Sequence, residues 1–446
     1  TPEAVMERHT CPPTVTRSPR RGAAYRSGWY LYWGTCTGRR GRSPRSRRPV
    51  FRKEACCSSG GQRLSCELDR GSHALLKRLH VDNVRCLTNF DLKPGPVAAI
   101  VGGNGTGKST VFEVLRALRD FLTLGGTVHD YFAPTSLTRW DTRLEQHIEL
   151  EVTAPDASLY GYELEVRHDP QSRDAIVVRE TLTADGDLLY RSTGGEVQLF
   201  GDDARKAPRA AFPFAPKRSF LPVLEARPDN QRIMAFKQWL AGMWAFSLRP
   251  QAMEPTSLQE SDGVAVTGAN FVSWYRTLVQ ASPDVAERIR QDLSPVIPGL
   301  TAIRLLKLGA DARFLSLDCE LSGKKFGLSL DELSEGQRAL LLLYAVLRAL
   351  APHTSLLIFD EPDNFVAQAE IQPWLAAMRD TVADAGRGTL LVISHHPEVV
   401  DYLAADQALC MWRESDGPAR VRELDVDRDK GLTASEWLRL GIAHAE

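Results

Sequence analysis

The sequence has no apolar run long enough to cross a membrane. Its longest run, Ala339 to Leu347, has 9 residues and ends at Arg348, whereas a membrane-spanning helix needs about 20. The basic residues near the start are not followed by the apolar core of about 7 to 15 residues that marks a secretory signal. These absences predict a soluble chain with no membrane partner.

The chain also lacks a recognisable cysteine pattern. Among its 8 cysteines, no spacing matches a zinc or redox motif, and five fall within the first 70 residues. Cys86, Cys319 and Cys410 are scattered through apolar surroundings, as reduced core cysteines usually are. We therefore expect a cytoplasmic location.

Sustained apolar heptads are missing too, which excludes long coiled-coil arms within the 446 residues. An apolar content of 43% is enough for a substantial core. The net charge of −1 conceals a division, because residues 1–70 have 15 Lys and Arg against 5 Asp and Glu, which leaves −11 for the remainder. Such an acidic remainder argues against strong unaided binding to duplex DNA.

Residues 1–72 form a basic leader rich in Arg, Pro and Ser, as in TGRRGRSPRSRRPVFRK from Thr37 to Lys53. The segment has no apolar periodicity and cannot bury enough surface to offset its chain entropy, so we expect disorder. One interpretation is an unstructured leader or an artefact of the assigned gene start. The alternative is a nucleic-acid-binding arm.

A glycine-rich segment follows a short apolar strand. The run VAAIV, Val97 to Val101, is typical of a buried strand and leads directly into VGGNGTGKST, which ends at Thr110. An apolar helical face follows at Val111, Leu115, Leu118 and Leu122. The order of strand, glycine loop and helix is that of a phosphate-binding P-loop.

Each residue type in this loop suits a polyphosphate. Glycines permit positive φ and leave backbone N–H groups open to the anion, and the helix N-terminus adds a partial positive charge. Lys108 can reach the β- and γ-phosphates of a nucleotide, and the Ser109 hydroxyl can ligate Mg²⁺. The predicted nucleotide-binding residues are Gly102, Asn104, Gly105, Gly107, Lys108, Ser109 and Thr110.

Two further strands end in polar groups. Leu356 to Phe359 form an apolar strand followed by Asp360, which can hold Mg²⁺, and Glu361, which can orient or deprotonate a water. A second apolar strand ends in Ser394-His395-His396, and it begins after a predicted helix. An imidazole at that position can contact the γ-phosphate.

A second candidate anion site lies 26 residues before Asp360. In the segment LSEGQ, Ser334 is a plausible N-cap of the following apolar helix, whose first backbone N–H groups are free to bind an anion. An ordinary capping motif is the alternative. The position of LSEGQ between a P-loop and an acidic strand favours anion binding over an ordinary capping motif.

Together, GxxxxGKS, LSEGQ, the strand ending in DEP and the strand ending in SHH resemble the ABC-type ATPases, and in particular the compact stand-alone AAA family predicted ATPases of the SMC/RecF/OLD branch. The resemblance covers residues 75–122 and 301–446. It implies an α/β P-loop NTPase head of ABC/RecF type, a mixed sheet flanked by helices with an inserted α+β lobe. It also implies a homodimer that closes over two ATP molecules.

The resemblance assigns a role to each matched residue. Ser334, Gly336 and Gln337 would contact ATP held by the partner's P-loop, while Asp360 and Ser109 would hold Mg²⁺. The predicted catalytic residues are Glu361 as the base, His395 as the switch histidine rather than His396, and Lys108.

The sequence departs from the transporter-type pattern in two places. The aspartate that bridges the dimer is missing after Pro362, and Asp363 and Asn364 are the candidates to replace it. The glutamine that senses magnesium has no confident match, and Gln146 is a candidate only.

Ser334 follows Ser109 by 225 positions, which is too long a separation for a typical transporter subunit. Residues 147–152 and 160–166 alternate as antiparallel strands do, and two apolar stripes follow at helical spacing, at Ile233, Phe236, Leu240 and Met243 and at Phe271, Tyr275 and Leu278. A basic cluster, consisting of Arg205, Lys206, Arg209, Lys217 and Arg218, fits a solvated linker better than a DNA-contacting loop.

We therefore predict a head whose N-terminal part spans residues 73–140 and whose C-terminal part spans 301–446, with an inserted lobe at 141–300. The expected function is ATP hydrolysis in DNA repair or anti-phage defence, with DNA and a nuclease or other effector protein as possible partners. One alternative is the ATP-binding subunit of a membrane transporter. The other is a nucleotide-binding scaffold without turnover, which Glu361 disfavours.

Overall fold

The structure, a computed structural model, describes residues 74–169, 171–172, 174–203, 207–384, 388–414, 416–424 and 433–440. The predicted leader at 1–72 lies outside this part of the chain, as do Arg205 and Lys206 of the basic cluster.

Strands dominate the first part of the chain, whereas helices and strands share the rest. The first part forms β1 (Leu76–Asp82), β2 (Phe90–Leu92), β3 (Val97–Gly102), α1 (Lys108–Thr123), α2 (Val128–Tyr131), β4 (Glu145–Thr153), β5 (Leu159–Asp169), β6 (Asp174–Ala184), β7 (Asp187–Thr193), β8 (Glu196–Leu199) and β9 (Ala210–Pro213). The middle part forms α3 (Gln231–Ala241), β10 (Met243–Phe246), β11 (Thr256–Ser257), α4 (Phe271–Ala281), α5 (Pro283–Leu293), β12 (Leu300–Lys307), β13 (Arg313–Leu321) and β14 (Lys324–Ser329). The last part forms α6 (Glu335–Ala349), β15 (Leu356–Asp360), α7 (Gln368–Arg379), β16 (Thr389–Ile393), α8 (Pro397–Leu403), β17 (Ala408–Trp412), β18 (Arg420–Glu423) and α9 (Ala434–Arg439).

The central sheet has six strands in the order β10-β15-β16-β3-β17-β18. All neighbours are parallel except β17 and β18. Strands β3, β15 and β16 are apolar and almost entirely buried, because elements cover both faces of a parallel sheet. The carboxyl ends of parallel strands meet at one edge. The topology therefore brings the glycine loop, Asp360 and Ser394 together there.

A second sheet is antiparallel, with the order β2-β1-β4-β5-β6-β7-β8-β9. The alternation predicted at residues 147–152 and 160–166 is confirmed, since every second side chain of β4 and β5 is buried. Strand β4 pairs with β1, and β10 lies in the central sheet. The inserted segment 141–300 is thus built into the sheets of the head rather than set apart from it.

The two apolar helical stripes are confirmed with one exception. Ile233, Phe236 and Leu240 lie on α3, and Phe271 and Tyr275 stack on α4 with ring centroids 5.6 Å apart. Met243, predicted to continue the first stripe, instead begins β10. Gly242 ends the helix there, and its backbone carbonyl accepts from Ser355 N at 2.8 Å, so the chain enters the sheet.

The apolar run from Ala339 to Leu347 is buried within α6. It belongs to the core that also contains Phe271, Ile289 and Leu357, so helix, helix and sheet share one apolar interior. Within the described part of the chain, no helix combines the length and apolar character needed to span a bilayer.

A carboxyl group is buried inside the antiparallel sheet. Glu180 on β6 accepts hydrogen bonds from the hydroxyls of Ser219 at 2.6 Å, Tyr190 at 2.8 Å and Tyr162 at 3.1 Å. Burial raises the pKa of Glu180 to about 7, although these three donors lower it. The folded protein therefore holds this proton more tightly than the unfolded chain does.

We expect the stability of the protein to fall through this group as the pH rises from about 4.5 to about 7. The unfolded chain loses the proton near the ordinary pKa of 4.5, while the folded chain keeps it until about 7, so the unfolded state binds fewer protons over that interval. Urea unfolding should show Glu180→Gln gaining roughly 2 to 3 kcal/mol relative to the wild type between these pH values. A difference between Glu180→Gln and the wild type that does not change with pH would contradict this.

Candidate functional site

The glycine loop lies between β3 and α1, as predicted. Gly107 is the N-cap of α1 and has φ 102°. A Cβ at this position would lie 2.8 Å from Cys86 Sγ, so both the backbone and the packing require glycine. No side chain caps α1, and its first N–H groups are available to a bound anion.

Lys108, the first residue of α1, folds across the loop. Its Nζ donates to the carbonyl oxygens of Gly102 at 2.9 Å and Gly103 at 2.8 Å. Burial lowers the pKa of Lys108, while the carboxylates of Glu361 and Asp360 act to raise it. The ammonium is thus fixed between the glycine loop and the acidic end of β15.

Asp360 ends β15 beside the start of α1. The Ser109 hydroxyl lies near its carboxyl and lowers the pKa of Asp360, but burial together with the Glu361 charge raises that pKa above its ordinary value. The buried Oδ1 has no hydrogen-bond partner among the residues that the structure describes. A hydroxyl and a carboxylate with an unused oxygen are the donors that Mg²⁺ prefers, so this pair fits the metal predicted for it.

Glu361 has φ 51°, a left-handed conformation that is uncommon for a residue other than glycine. The turn is held by the backbone bond from Glu361 N to Ile393 O at 2.9 Å. The side chain lies between two partners, with Oε1 3.5 Å from His395 Nε2 and Oε2 accepting from Asn364 Nδ2 at 2.6 Å. Strained backbone of this kind is typical of functional sites, where it orients a side chain.

The segment after β16 is fixed by Asp363. Ser394 Oγ donates to Asp363 Oδ2 at 2.9 Å, and His396 N donates to Ser394 Oγ at 3.0 Å. Burial lowers the pKa of His395, and the nearby charge of Lys108 lowers it further.

Asp363 is only 7% exposed. Of the two residues considered for bridging a dimer, only Asn364 is therefore on the surface.

Some of these groups line one cavity of about 450 Å³, whereas Gly102 and Asp360 are not among its lining residues. It contains the P-loop residues 104–110, Glu361 and His395, but not His396. Sequence reasoning missed its other wall, which consists of Arg85, Cys86, Thr135, Leu137, Arg139, Trp140 and Arg413. No motif marks these residues, because they come from three loops that only the fold brings together.

The segment LSEGQ does begin a helix. Ser334 is the N-cap of α6, with its Oγ accepting from Gln337 N at 3.2 Å and its own N–H donating to Gln337 Oε1 at 3.1 Å. Ser334 is exposed and does not line the cavity of its own chain. A Cβ on Gly336 would lie 2.6 Å from Phe365 O, so this turn packs closely on the segment that follows Glu361.

The candidate magnesium-sensing glutamine is in the wrong place. Gln146 is fully buried on β4, where Nε2 donates to Asn83 O and Ser136 Oγ, both at 3.0 Å, and Oε1 lies 2.8 Å from His168 Nε2. Both ends of its amide are used inside the protein. Gln146 does not reach the cavity, and it stabilises a loop instead.

The basic cluster is largely neutralised where it is described. Arg209 pairs with Asp203 and Asp229, each at 2.8 Å, and Lys217 pairs with Asp174. These contacts favour the solvated linker over a DNA-contacting loop.

The largely parallel sheet has a P-loop, an acid pair and a histidine at one edge, and a capped signature helix packs on the segment after the acid pair. These features define an ABC-type P-loop ATPase head of the SMC/RecF/OLD branch. The chain belongs to the family described as "AAA domain, putative AbiEii toxin, Type IV TA system", whose model matches residues 97–401. The fold class and family expected from the motifs are thereby confirmed.

Among curated proteins, the chain is similar to an OLD nuclease of Thermus scotoductus, with 25% identity over 345 residues. The match covers 73% of this chain and 60% of the relative, so the chain spans well under the relative's full length. The chain is also similar in fold to solved structures. One is the SMC head domain from Thermotoga maritima, with 14% identity and a TM-score of 0.42 over 79% of this chain and 99% of that one. A second is a Smc head domain bound to the C-terminal domain of ScpA derived from Pyrococcus furiosus, at 13% identity and TM-score 0.48 over 80% and 98%.

Proposed function

We propose that this chain binds ATP with Mg²⁺ in the cavity and hydrolyses it to ADP and phosphate. The observation that carries the proposal is that one cavity joins P-loop residues 104–110 to Glu361 and His395. The groups that bind phosphate and a candidate general base thus line the same cavity. A site that only binds a nucleotide does not need such a base.

The phosphates are bound by backbone and by charge. The N–H groups of the loop, including those of Asn104 and Gly105, and those at the start of α1 would surround the β-phosphate. Lys108 turns from the loop carbonyls to the β- and γ-phosphates, where its charge is worth more because it is already desolvated.

Ser109 and Asp360 would hold Mg²⁺, because the hydroxyl and the carboxyl lie near each other and Asp360 Oδ1 has no hydrogen-bond partner among the described residues. When bound, the ion neutralises charge that develops on the transferred phosphoryl group. Glu361 orients the attacking water and accepts its proton, while Asn364 and His395 fix the carboxylate on either side. His395 then lies where it can donate to the γ-phosphate.

The signature helix acts across a homodimer in this proposal. Ser334 is exposed and lies outside its own chain's cavity, so it is free to contact the triphosphate bound by a second copy together with Gly336 and Gln337. The contact between Gly336 and Phe365 O links this helix to the segment after Glu361. ATP would thus close the dimer, and hydrolysis would open it.

We further propose that the cycle serves DNA repair or anti-phage defence in the cytoplasm, with DNA and a nuclease or other effector protein as partners. The support is the matched family's description and the similarity to a nuclease. Among the residues that the structure describes, no group of three or more His, Cys, Asp or Glu could hold a metal ion.

The test of ATP hydrolysis is phosphate release by the purified chain with Mg-ATP. The Lys108→Ala variant gives the background, because it keeps the fold but loses the charge that reaches the phosphates. Wild-type release well above that background supports the proposal. Tight ATP binding with release no faster than the variant would instead favour a scaffold without turnover.

A further inference from the structure

Two turns lie side by side at the edge of the central sheet. The turn after β15 contains Glu361 and Asp363, and the turn after β16 contains Ser394 and His395. A backbone bond from Glu361 N to Ile393 O at 2.9 Å joins the two turns where they begin. Asp363 Oδ2 joins them a second time, because it accepts from Ser394 Oγ at 2.9 Å.

The Ser394 hydroxyl also holds the chain on the far side of His395. Its Oγ accepts from His396 N at 3.0 Å while its own proton is donated to Asp363. His395 thus lies between a residue that is held by its side chain and a residue that is held by its backbone. The His395 side chain is 41% exposed, and its Nε2 lies 3.5 Å from Glu361 Oε1 in the wall of the cavity.

His396 does not share this position. Its ring Nδ1 is buried and has no hydrogen-bond partner among the residues that the structure describes, and His396 does not line the cavity. Burial raises the pKa of Asp363, although the hydrogen bond from Ser394 and the nearby His396 both act to lower it. His396 therefore lies toward Asp363, and only the first of the two adjacent histidines reaches the cavity.

The position of Asp363 is energetically unfavourable for a carboxyl group. The residue is almost fully buried, and its Oδ1 has no hydrogen-bond partner within the described part of the chain. A buried carboxyl with an unused oxygen lowers the stability of a fold, and such exceptions are expected where function requires them. Because neither Asp363 nor Ser394 lines the cavity, the pair can affect a bound nucleotide only through the residues that it holds.

We propose that Asp363 is a positioning residue for ATP hydrolysis, which acts through Ser394 to place His395, and not His396, against the γ-phosphate. This inference rests on the proposed function, because it assumes that ATP is hydrolysed in the cavity. Displacing a group at the reacting centre by about 1 Å can lower a rate by about 100-fold. The N–H groups that bind the phosphates belong to the P-loop, so nucleotide affinity does not depend on this bond.

The test compares kcat and KM for Mg-ATP between the full wild-type chain and its variants. Asp363→Ala and Ser394→Ala should each lower kcat by about 10- to 100-fold and leave KM nearly unchanged. Asp363→Asn should retain most of kcat, because an amide oxygen can still accept from the Ser394 hydroxyl. His396→Ala is the matched control for His395→Ala. It keeps the backbone N–H that donates to Ser394 and should behave as the wild type.

A second measurement separates positioning from a general weakening of the fold. In a chain that already carries His395→Ala, the added Asp363→Ala change should lower kcat no further, because the side chain that it positions is gone. Calorimetric titration with the β,γ-imido analogue of ATP should give Asp363→Ala the affinity of the wild type. A fall in that affinity as large as the fall in kcat would show a structural role and overturn the proposal.

The remaining outcomes distinguish this inference from the proposed function. Wild-type kcat in Asp363→Ala, or losses of kcat that multiply when this change is combined with His395→Ala, overturn the positioning role and leave ATP hydrolysis standing. A wild type that releases phosphate no faster than Lys108→Ala overturns the proposed function and the positioning role with it.

Discussion

Glu361→Gln is expected to lower ATP turnover by about 100-fold or more while leaving ATP binding intact, so that the protein accumulates as an ATP-bound dimer. The amide has the shape of the carboxylate and can still accept from Asn364, whose Nδ2 lies 2.6 Å from Oε2. It cannot accept a proton from water, which removes a contribution of roughly 10² to 10⁴ to the rate. Sedimentation velocity with Mg-ATP, together with phosphate release, measures both effects.

The matched control is Glu196→Gln, which makes the same chemical change at an exposed position of β8, away from the cavity. It should turn over ATP and sediment as the wild type does. If Glu361→Gln stays monomeric with saturating Mg-ATP, the closed dimer is wrong. If it hydrolyses ATP at the wild-type rate, Glu361 is not the base.

Mixing two inactive variants is expected to restore activity. Ser334→Arg places a bulky cation at the exposed start of α6 and should remove the contact of this helix with the partner's triphosphate, although its own P-loop is unchanged. Lys108→Ala removes the phosphate contact but keeps the signature helix. Each homodimer then has no intact site, whereas a heterodimer has one, formed by the P-loop of the Ser334→Arg chain and the signature of the other.

Random assortment makes about half of the dimers heterodimers, so a 1:1 mixture should recover about a quarter of wild-type phosphate release if the two sites act independently. Ser334→Thr is the control, because threonine keeps an N-cap hydroxyl and should retain most activity. Full activity of Ser334→Arg alone would show that the signature helix is not needed. A mixture with no recovery would contradict a site shared between two chains.

The elements that the sequence predicted best are those set by local spacing. The apolar strand before the glycine loop, the helix after it and the strands that end at Asp360 and before Ser394 are all present. The periodicity of apolar residues within one element is a local property of the sequence. The alternation of apolar and polar residues therefore identified β4 and β5, and apolar residues at helical spacing identified α3 and α4. Parallel topology then explains why motifs separated by hundreds of residues share one edge.

Residues whose role depends on packing were missed or placed wrongly. Gln146 has the right residue type for a metal-sensing site, but β4 pairs with β1 and turns its amide toward Asn83 and Ser136 in the interior. Asp363 was considered for a dimer contact, yet it is buried against Ser394. In both cases the neighbours that decide the outcome are distant in sequence.

By itself the sequence determined the class of the protein, because a P-loop, a capped signature helix and two polar strand ends are patterns of a few residues each. Only the tertiary structure decided the composition of the site. It brought His395 to 3.5 Å from Glu361 and placed Trp140 and Arg413, which contact each other, among the residues that line the same cavity. The physical reason is that side chains from separate loops meet only when long-range strand pairing fixes the loops that carry them.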